Sequence, residues 1–262
     1  MDFNEQYGPW ALIAGASEGL GAAFADECAS RGCNVVLVAR REALMEETAA
    51  GIRERHRVET RTLVADLGRP DIGDLIASVT DDIDVGFFLY NAAFAPQGLF
   101  VNVPLEEQMQ NIAVNCTTPT ILSHMLGKKM VDRGRGGLVL VSSGAAHGGM
   151  KIFTTYAAAK AYELILGEGL WDEFRDRGVD ALGYVVGATA TPTFSASTEA
   201  DAVKATNART PQQVAAALFE QLGKGPRAYS HPGADEQAMA SAGRPRAEVV
   251  AATGEMISSV WS

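Results

Sequence analysis

The sequence is poor in cysteine. Only Cys28, Cys33 and Cys116 occur in 262 residues. An odd number with no CxxC spacing excludes a disulfide framework and argues against a zinc site. Histidine is scarce as well: His56, His124, His147 and His231 are scattered, which is unlike an imidazole metal centre. Basic charge is short. Lys plus Arg number 22 against 32 Asp plus Glu, a net of −10 at pH 7. That balance is a poor match for a nucleic-acid backbone and lacks the basic patch of a membrane-surface protein. No apolar run approaches the ~18 residues of a membrane span. The opening Met1-Asp2-Phe3-Asn4-Glu5 is acidic and polar, unlike a secretory signal. The expectation is a cytoplasmic protein with three reduced thiols, no bound metal, no nucleic-acid partner and no membrane span.

What is present is an ordinary globular composition, 47% apolar and 21% charged, with 27 glycines. That glycine share is about 10%, against a usual ~7%. A single domain of this length buries roughly 75% of its unfolded surface, so a full core needs no staples. Short β-branched runs occur at Trp10–Ala14, Asn34–Ala39, Thr62–Ala65, Val85–Tyr90, Gly137–Ser142 and Ala181–Val186. Amphipathic stretches at about 20–31, 41–56, 71–81, 105–133 and 154–177 separate them. The runs are continuously apolar, as in Val35-Val36-Leu37-Val38, so both faces of each strand are buried. This order predicts an α/β fold: a single-domain, doubly wound parallel sheet of Rossmann type over residues 1–262, with helices on both faces. Residues 188–209 are expected to form a substrate loop and 233–262 a helical tail. Between them, Thr210 caps a helix begun by Pro211 and ended by Gly223, and Arg227–Ser230 is a candidate last strand.

The first strand leads into Gly15-Ala16-Ser17-Glu18-Gly19-Leu20-Gly21 at the start of a helix. Glycines there permit a tight turn, a close ligand and close helix packing. The free N–H groups and helix dipole then suit a pyrophosphate. Gly15-x-Ser17-x-Gly19 also matches the nucleophile elbow of α/β-hydrolases. Against that reading, the elbow would sit on the first strand, and the candidate oxyanion loop, His147-Gly148-Gly149, would follow the serine instead of preceding it.

Further along, Ser143 ends the fifth strand, and Tyr156 and Lys160 lie four residues apart on one face of the next helix. A tyrosine of pKa near 10 is a poor acid-base at neutral pH. A neighbouring ammonium favours the phenolate and fits the tyrosine for the proton that accompanies hydride transfer. Ser143 is placed to hydrogen-bond the reacting oxygen.

With these residues in place, the sequence resembles the short-chain dehydrogenase/reductases. The matching features are Gly15-x-x-x-Gly19-x-Gly21, Asp66, Asn91-Ala92, Asn115, Ser143, Tyr156-x-x-x-Lys160 and Thr191, which span residue 9 to about 192. The resemblance implies that Tyr156 is the catalytic acid/base, that Lys160 lowers its pKa and holds the nicotinamide ribose, that Ser143 orients the substrate oxygen, and that Asn115 supports a relay water. It implies cofactor contacts from Gly15, Ser17, Glu18, Gly19, Leu20, Gly21, Arg40, Arg41, Asp66, Leu67, Asn91, Ala92, Ala93, Tyr156, Lys160, Gly187, Thr189 and Thr191. Two departures stand out. The family's Asn-Asn-Ala-Gly is Tyr90-Asn91-Ala92-Ala93 here, which narrows the turn. Its Pro-Gly is Val186-Gly187, which is expected to loosen the loop carrying Thr189 and Thr191.

Relatives that prefer NAD carry an acidic residue after the second strand. Here Ala39 takes that place, followed by Arg40 and Arg41, whose guanidinium forks suit a 2′-phosphate. The cofactor expected is therefore NADP(H), with Glu18 as an objection. Residues 31–61 hold seven Arg and five Glu, a local net of +2 within an acidic chain. Ala145, His147, Met150, Phe153 and Phe194, with Ser143 and Tyr156, are expected to line a pocket for an apolar ketone or alcohol. The Tyr7–Leu12 and Lys129–Gly134 segments are similar to the group of 3-ketoacyl-CoA reductases and 17-beta-hydroxysteroid dehydrogenases, which implies ketone reduction on a lipid-like molecule. Relatives associate as homodimers or homotetramers through the helices at 105–133 and 154–177. The alternatives are a catalytically silent NADP(H)-binding regulator on this fold and, third, a serine hydrolase using Ser17.

Overall fold

A computed structural model describes residues 2–192, 194 and 208–260. Seven parallel strands form one sheet: β1 (Trp10–Ala14), β2 (Asn34–Ala39), β3 (Thr60–Val64), β4 (Val85–Tyr90), β5 (Gly136–Ser143), β6 (Val179–Val186) and β7 (Arg227–Tyr229). Their spatial order is β3-β2-β1-β4-β5-β6-β7. The order reverses between β1 and β4, where Ala14 pairs with Tyr90 on one side and Val38 on the other. A crevice opens at such a switch point, beyond the carboxyl ends of the strands.

The alternation of side chains along each strand builds two cores. Ile13, Leu37, Leu89, Val141 and Tyr184 point to one face. There they meet α1 (Phe3–Tyr7), α2 (Gly19–Ser30), α3 (Glu42–His56) and α8 (Pro211–Gln221). Leu12, Val36, Phe88, Leu138 and Ala181 point to the other. They meet α4 (Ile72–Thr80), α6 (Thr118–Arg133) and α7 (Thr154–Phe174). Leu12, Ile13 and Leu37 are wholly buried, and each such side chain contributes roughly 1.5–3 kcal/mol. The remaining helices are α5 (Leu105–Ile112), α9 (Ala234–Ala242) and α10 (Arg246–Val260).

Most expected elements are present with ends moved by one or two residues. The clearest shifts are at the third strand, which spans Thr60–Val64 and so starts two residues early, and at β6, which starts at Val179. Both were obscured by polar residues, Arg61 and Asp180, inside the strand. Helix α1 was not anticipated. The stretch expected as one helix over 105–133 is two helices joined by a π-helical segment, Ala113–Thr117. Thr210 caps α8 as expected, and does so reciprocally: its Oγ1 accepts from Gln213 N at 3.2 Å while Gln213 Oε1 accepts from Thr210 N at 2.9 Å. Most of the 193–209 stretch, residues 193 and 195–207, lies outside the described residues.

Candidate active site

Helix α7 lies tight against β6 because two glycines face each other. A Cβ on Gly167 would stand 2.8 Å from Gly183 N. On the β5 side the contact is polar: Ser142 Oγ donates to the Lys160 carbonyl at 2.6 Å. Lys160 Nζ donates to the Val141 carbonyl at 2.8 Å and to Glu163 Oε2 at 2.7 Å. The same Nζ lies 5.7 Å from the centre of the Tyr156 ring. Lys160 is 3% exposed and Glu163 0%. Burial works most strongly against the Lys160 ammonium, but the Glu163 carboxylate, with Tyr156 and Cys116, outweighs it and holds the group above the ordinary lysine value. Burial pushes Glu163 up to about 7 against the opposing pull of Lys160. Tyr156 is half-buried, with the Phe153 ring edge-on at 6.2 Å.

Ser143 is the last residue of β5 and caps a 3-10 turn, Gly144–His147, its Oγ accepting from Ala145 N at 3.2 Å. Ser142 and Val141 bond Lys160 directly, so strand and helix hold Ser143 at the same end of the sheet as Tyr156. Ala145 is buried and Met150 half-buried on the same loop. His147 is drawn away. Its ring stacks on Tyr229, 5.8 Å between centres, and its carbonyl accepts from Arg246 Nη1 at 3.1 Å. It lines a cavity of about 770 Å³ with Arg209, Tyr229 and His231. Burial, then the Arg227 charge, lower the His147 pKa.

Asn115 sits in the π segment, where Thr118 N–H bonds back five residues to Ala113. Pro119, having no N–H, removes the α-helical donor to the Asn115 carbonyl. The Asn115 side chain is engaged on both sides: Oδ1 accepts from Phe94 N at 3.0 Å and Nδ2 donates to the Phe94 carbonyl at 2.7 Å. A single extra residue in a helix is a frequent mark of a functional site.

The glycine turn stands at the sheet's switch point. Gly15 has φ 86°, and a Cβ there would lie 2.7 Å from Ala92 N. Asn91 Nδ2 ties the turn from the other side, donating to the Gly15 carbonyl at 3.1 Å. Gly19 has φ 58°, and its Cβ would stand 3.2 Å from Thr191 Cγ2. Gly21 is tighter still, with a Cβ position 1.9 Å from the Gly15 carbonyl oxygen. The N-terminus of α2, with Leu20 in its first turn, thus lies between the Asn91–Ala92 turn and the Thr191 loop. This cradle fits a dinucleotide, because side chains at 15 and 19 would fill it. Asp66 holds its own turn, Oδ1 accepting from Gly68 N at 2.9 Å, and Leu67 is buried beside it. Ala93 is exposed.

The loop after β6 is not loosened by Val186-Gly187, contrary to the sequence expectation. Gly187 N donates to Ser230 Oγ at 3.0 Å and Thr189 Oγ1 to the Gly187 carbonyl at 3.0 Å. A Cβ on Gly187 would come 2.7 Å from His231 Nδ1. Thr189 bridges to Arg209, and Thr191 Oγ1 accepts from Phe194 N at 3.1 Å.

At the tip of β2, Arg41 Nη2 donates to Ser17 Oγ at 2.9 Å and Arg41 Nη1 pairs with Glu18 Oε1 at 2.8 Å. Arg40 is exposed beside it. This triad does not favour the hydrolase reading. Ser17 is bonded to a guanidinium, which cannot act as a base. His56 bonds Asp26, His147 Tyr229 and His231 Ser230.

Residues 9–202 match the family model for short chain dehydrogenases. The chain belongs to that family. This short-chain dehydrogenase is 34% identical over 224 residues to a 7beta-hydroxysteroid dehydrogenase of Clostridium sardiniense, covering 86% of each chain. It is also 34% identical over 181 residues to the mouse "inactive hydroxysteroid dehydrogenase-like protein 1", covering 68% of this chain and 55% of that one. Among solved structures, a 7beta-hydroxysteroid dehydrogenase studied for stereoselectivity superposes with a TM-score of 0.91 at 30% identity, covering 97% and 99% of the two chains. A Sphingobium yanoikuyae short-chain dehydrogenase in complex with NADPH gives 0.78 at 28% identity, covering 89% and 93%. The chain is an oxidoreductase of the hydroxysteroid and ketoacyl reductase group. Among the described residues no helix is long and apolar enough to cross a membrane, and no cluster of metal-binding side chains occurs.

Sequence reasoning missed two features of this short-chain dehydrogenase. The first is Glu163, legible as a Lys-x-x-Glu spacing that puts an acid on the buried face of α7. The second is the pairing of Glu18 with Arg41, two residues that the sequence weighed separately.

Proposed function

We propose that the enzyme interconverts a ketone and a secondary alcohol with NADP(H), on an apolar, steroid-like or acyl-like substrate. The observation that carries this reading is the buried Lys160 ammonium, 5.7 Å from the Tyr156 ring on a helix bonded to the strand that ends in Ser143. The nicotinamide, when bound, supplies or takes the hydride. Tyr156 donates its hydroxyl proton to the forming alkoxide, or takes it from the alcohol in reverse. Lys160 lowers the cost of the phenolate and offers its remaining N–H to the ribose. Ser143 Oγ donates to the substrate oxygen and orients it. The Asn115 carbonyl holds the water that returns the proton to solvent. Phe153, Met150, Ala145 and Phe194 supply the apolar wall, with the 188–209 segment as substrate loop.

NADP(H) is favoured by Arg40, Arg41 and Ser17 at the tip of β2, and by the kinship to an NADPH-bound relative. Asp66 and Leu67 take the adenine, and Thr189 and Thr191 approach the nicotinamide end. The free thiols Cys28, Cys33 and Cys116 suit a cytoplasmic setting. Exposed Leu105, Met109 and Ile112 on α5 and Tyr162 and Ile165 on α7 are the surface through which copies pair.

The test is the rate of NADPH oxidation at 340 nm across a panel of ketones that includes oxo-steroids and 3-oxoacyl thioesters, repeated with Tyr156→Phe. Turnover lost in the variant, with NADPH binding retained, is the expected result. A silent NADP(H)-binding regulator is the disfavoured alternative: the relative named inactive is matched over only 55% of its length, whereas the 7beta-hydroxysteroid dehydrogenase of Clostridium sardiniense is matched over 86%. NADPH binding with no turnover across the panel would replace the first reading with the second.

A further inference from the structure

One buried acid has no part in the reaction just described. Glu163 is 0% exposed. Its Oε2 accepts from Lys160 Nζ at 2.7 Å, while Oε1 is buried without a hydrogen-bond partner. Its buried neighbours on α7, Leu164 and Gly167, are apolar or small, so the packing alone calls for no carboxylate. A buried ion pair gives little net stability over an apolar replacement, and the orphaned oxygen makes this one costlier. The benefit of the acid is therefore to be sought in charge.

Lys160 has three N–H bonds to give. One goes to Val141 and one to Glu163, which leaves one for the ribose, while Tyr156 feels the charge. We propose that Glu163 is a positioning residue for the acid-base pair: it is the counter-ion that keeps Lys160 charged in a fully buried site, and it sets how much of that charge Tyr156 feels. This rests on the reading of Tyr156 as the acid/base.

The ionisable groups facing the pair come from three elements. On α7 itself are Tyr156 and Lys160. From the π segment comes Cys116, which burial pushes up to about 11. From β4 comes Tyr90, whose hydroxyl donates to the Val114 carbonyl and which burial raises well above the ordinary tyrosine value. Cys116 and Tyr90 therefore stay protonated at neutral pH. The sign of Glu163's effect is then fixed. Ionised, it opposes the Lys160 charge at Tyr156, so the phenolate is stabilised less than beside a bare ammonium. It also lets Lys160 keep its proton to a higher pH. Neutralising Glu163 moves both transitions to lower pH.

Glu163→Gln preserves the shape and an acceptor for Lys160, and Glu163→Asp preserves the charge. Two readouts apply. The first is the bell-shaped pH profile of kcat/KM for alcohol oxidation, bounded by Tyr156 on the acid side and Lys160 on the alkaline side. The second is the tyrosinate absorbance titration of the cofactor-free protein, taken as a difference against Tyr156→Phe. In Glu163→Gln both edges of the bell and the tyrosinate transition are expected to move down by about one pH unit. Glu163→Asp is expected to keep the wild-type positions with a lower rate. A Gln profile that superimposes on wild type, or moves to higher pH, overturns the proposal. The unmutated protein offers a further measurement, independent of whether a variant folds. Above a pH of about 7 the Glu163 carboxyl should absorb in the infrared as a carboxylate; a band of a buried protonated carboxyl that persists into the alkaline range is equally fatal. A wild-type protein without turnover would sink the reading of the site, while the tyrosinate titration, needing neither substrate nor cofactor, would still judge Glu163.

Discussion

Replacing Glu18 by Gln should make the enzyme more selective for NADPH. Arg41 Nη1 lies 2.8 Å from Glu18 Oε1, with the side chains 52% and 24% exposed. Opposite unit charges about 4 Å apart attract by about 1 kcal/mol in water and about 4 kcal/mol at an effective dielectric constant of 20. The exposure of Arg41 puts this pair near the low end, at about 1 kcal/mol. A 2′-phosphate that recruits Arg41 displaces that interaction. It also brings a charge of about −1.5 to −2 toward the Glu18 carboxylate, at a further cost of about 1 kcal/mol. Removing the carboxylate relieves both, roughly 2 kcal/mol in all, and each 1.4 kcal/mol is tenfold. The ratio of kcat/KM for NADPH over NADH should rise about 10–30-fold, because NADH has no phosphate to benefit. The gain should shrink at high salt, since the Debye length is about 10 Å at 0.1 M. Arg41→Ala should lower the same ratio by about 10–100-fold, the worth of one hydrogen bond to a charged group. Initial rates with both cofactors at two ionic strengths read all of this. An equal gain for NADH in Glu18→Gln, or an unchanged ratio in Arg41→Ala, would refute the reasoning.

Tyr156→Phe should lose about 10²–10⁴-fold in kcat, the usual share of a positioned acid-base group, with the NADPH dissociation constant by fluorescence little changed. Gly167→Val places side-chain atoms where a Cβ alone is 2.8 Å from Gly183 N. Overpacking of that kind costs about 1–3 kcal/mol, so the melting temperature should drop by roughly 2–10 °C, with kcat falling because α7 carries Tyr156. Ile165, 59% exposed on α7, belongs to the surface expected to pair. Ile165→Arg should convert a dimer or tetramer to a smaller species in light scattering, and an already monomeric wild type at micromolar concentration would dispose of that surface.

The strands that were legible in the sequence are those buried on both faces. For β1 and β4 an unbroken apolar run has the same ends as the strand, and in β2 the only polar residue is the half-buried Asn34 at its start, because little that is polar enters a layer covered on both sides. Strand β3 is at the sheet's edge, with Val64 49% exposed. It admits Thr60 and Arg61, so its start carried no signal. The π segment left none either: one extra residue preserves apolar character while shifting its phase. Helix α1 is five residues long, too short for a periodic pattern, although Phe3 and Tyr7 stack one turn apart at 4.7 Å. At the site, residues defined by spacing along one element, such as Tyr156 and Lys160, could be read directly. Arg41 with Glu18, and Cys116 with Glu163, are brought together by the fold, so spacing along the chain did not show them.

The π segment does more than free a carbonyl. An α-helix turns about 100° and advances 1.5 Å per residue. Removing any one residue from 113–117 would close the widened turn and rotate α5 by about that angle relative to α6. The Gln108 contact to Thr155 and the 2.5 Å bond from Asn111 to the Phe94 carbonyl would be lost together. The exposed Leu105, Met109 and Ile112 would swing to a new bearing at the same stroke. One surplus residue thus acts as a phase setter, fixing the start of the catalytic helix and the outward apolar surface in a single registration. Length in this segment is therefore less tolerant of change than composition, and a deletion there would displace the outward apolar residues as surely as it loosens the start of α7.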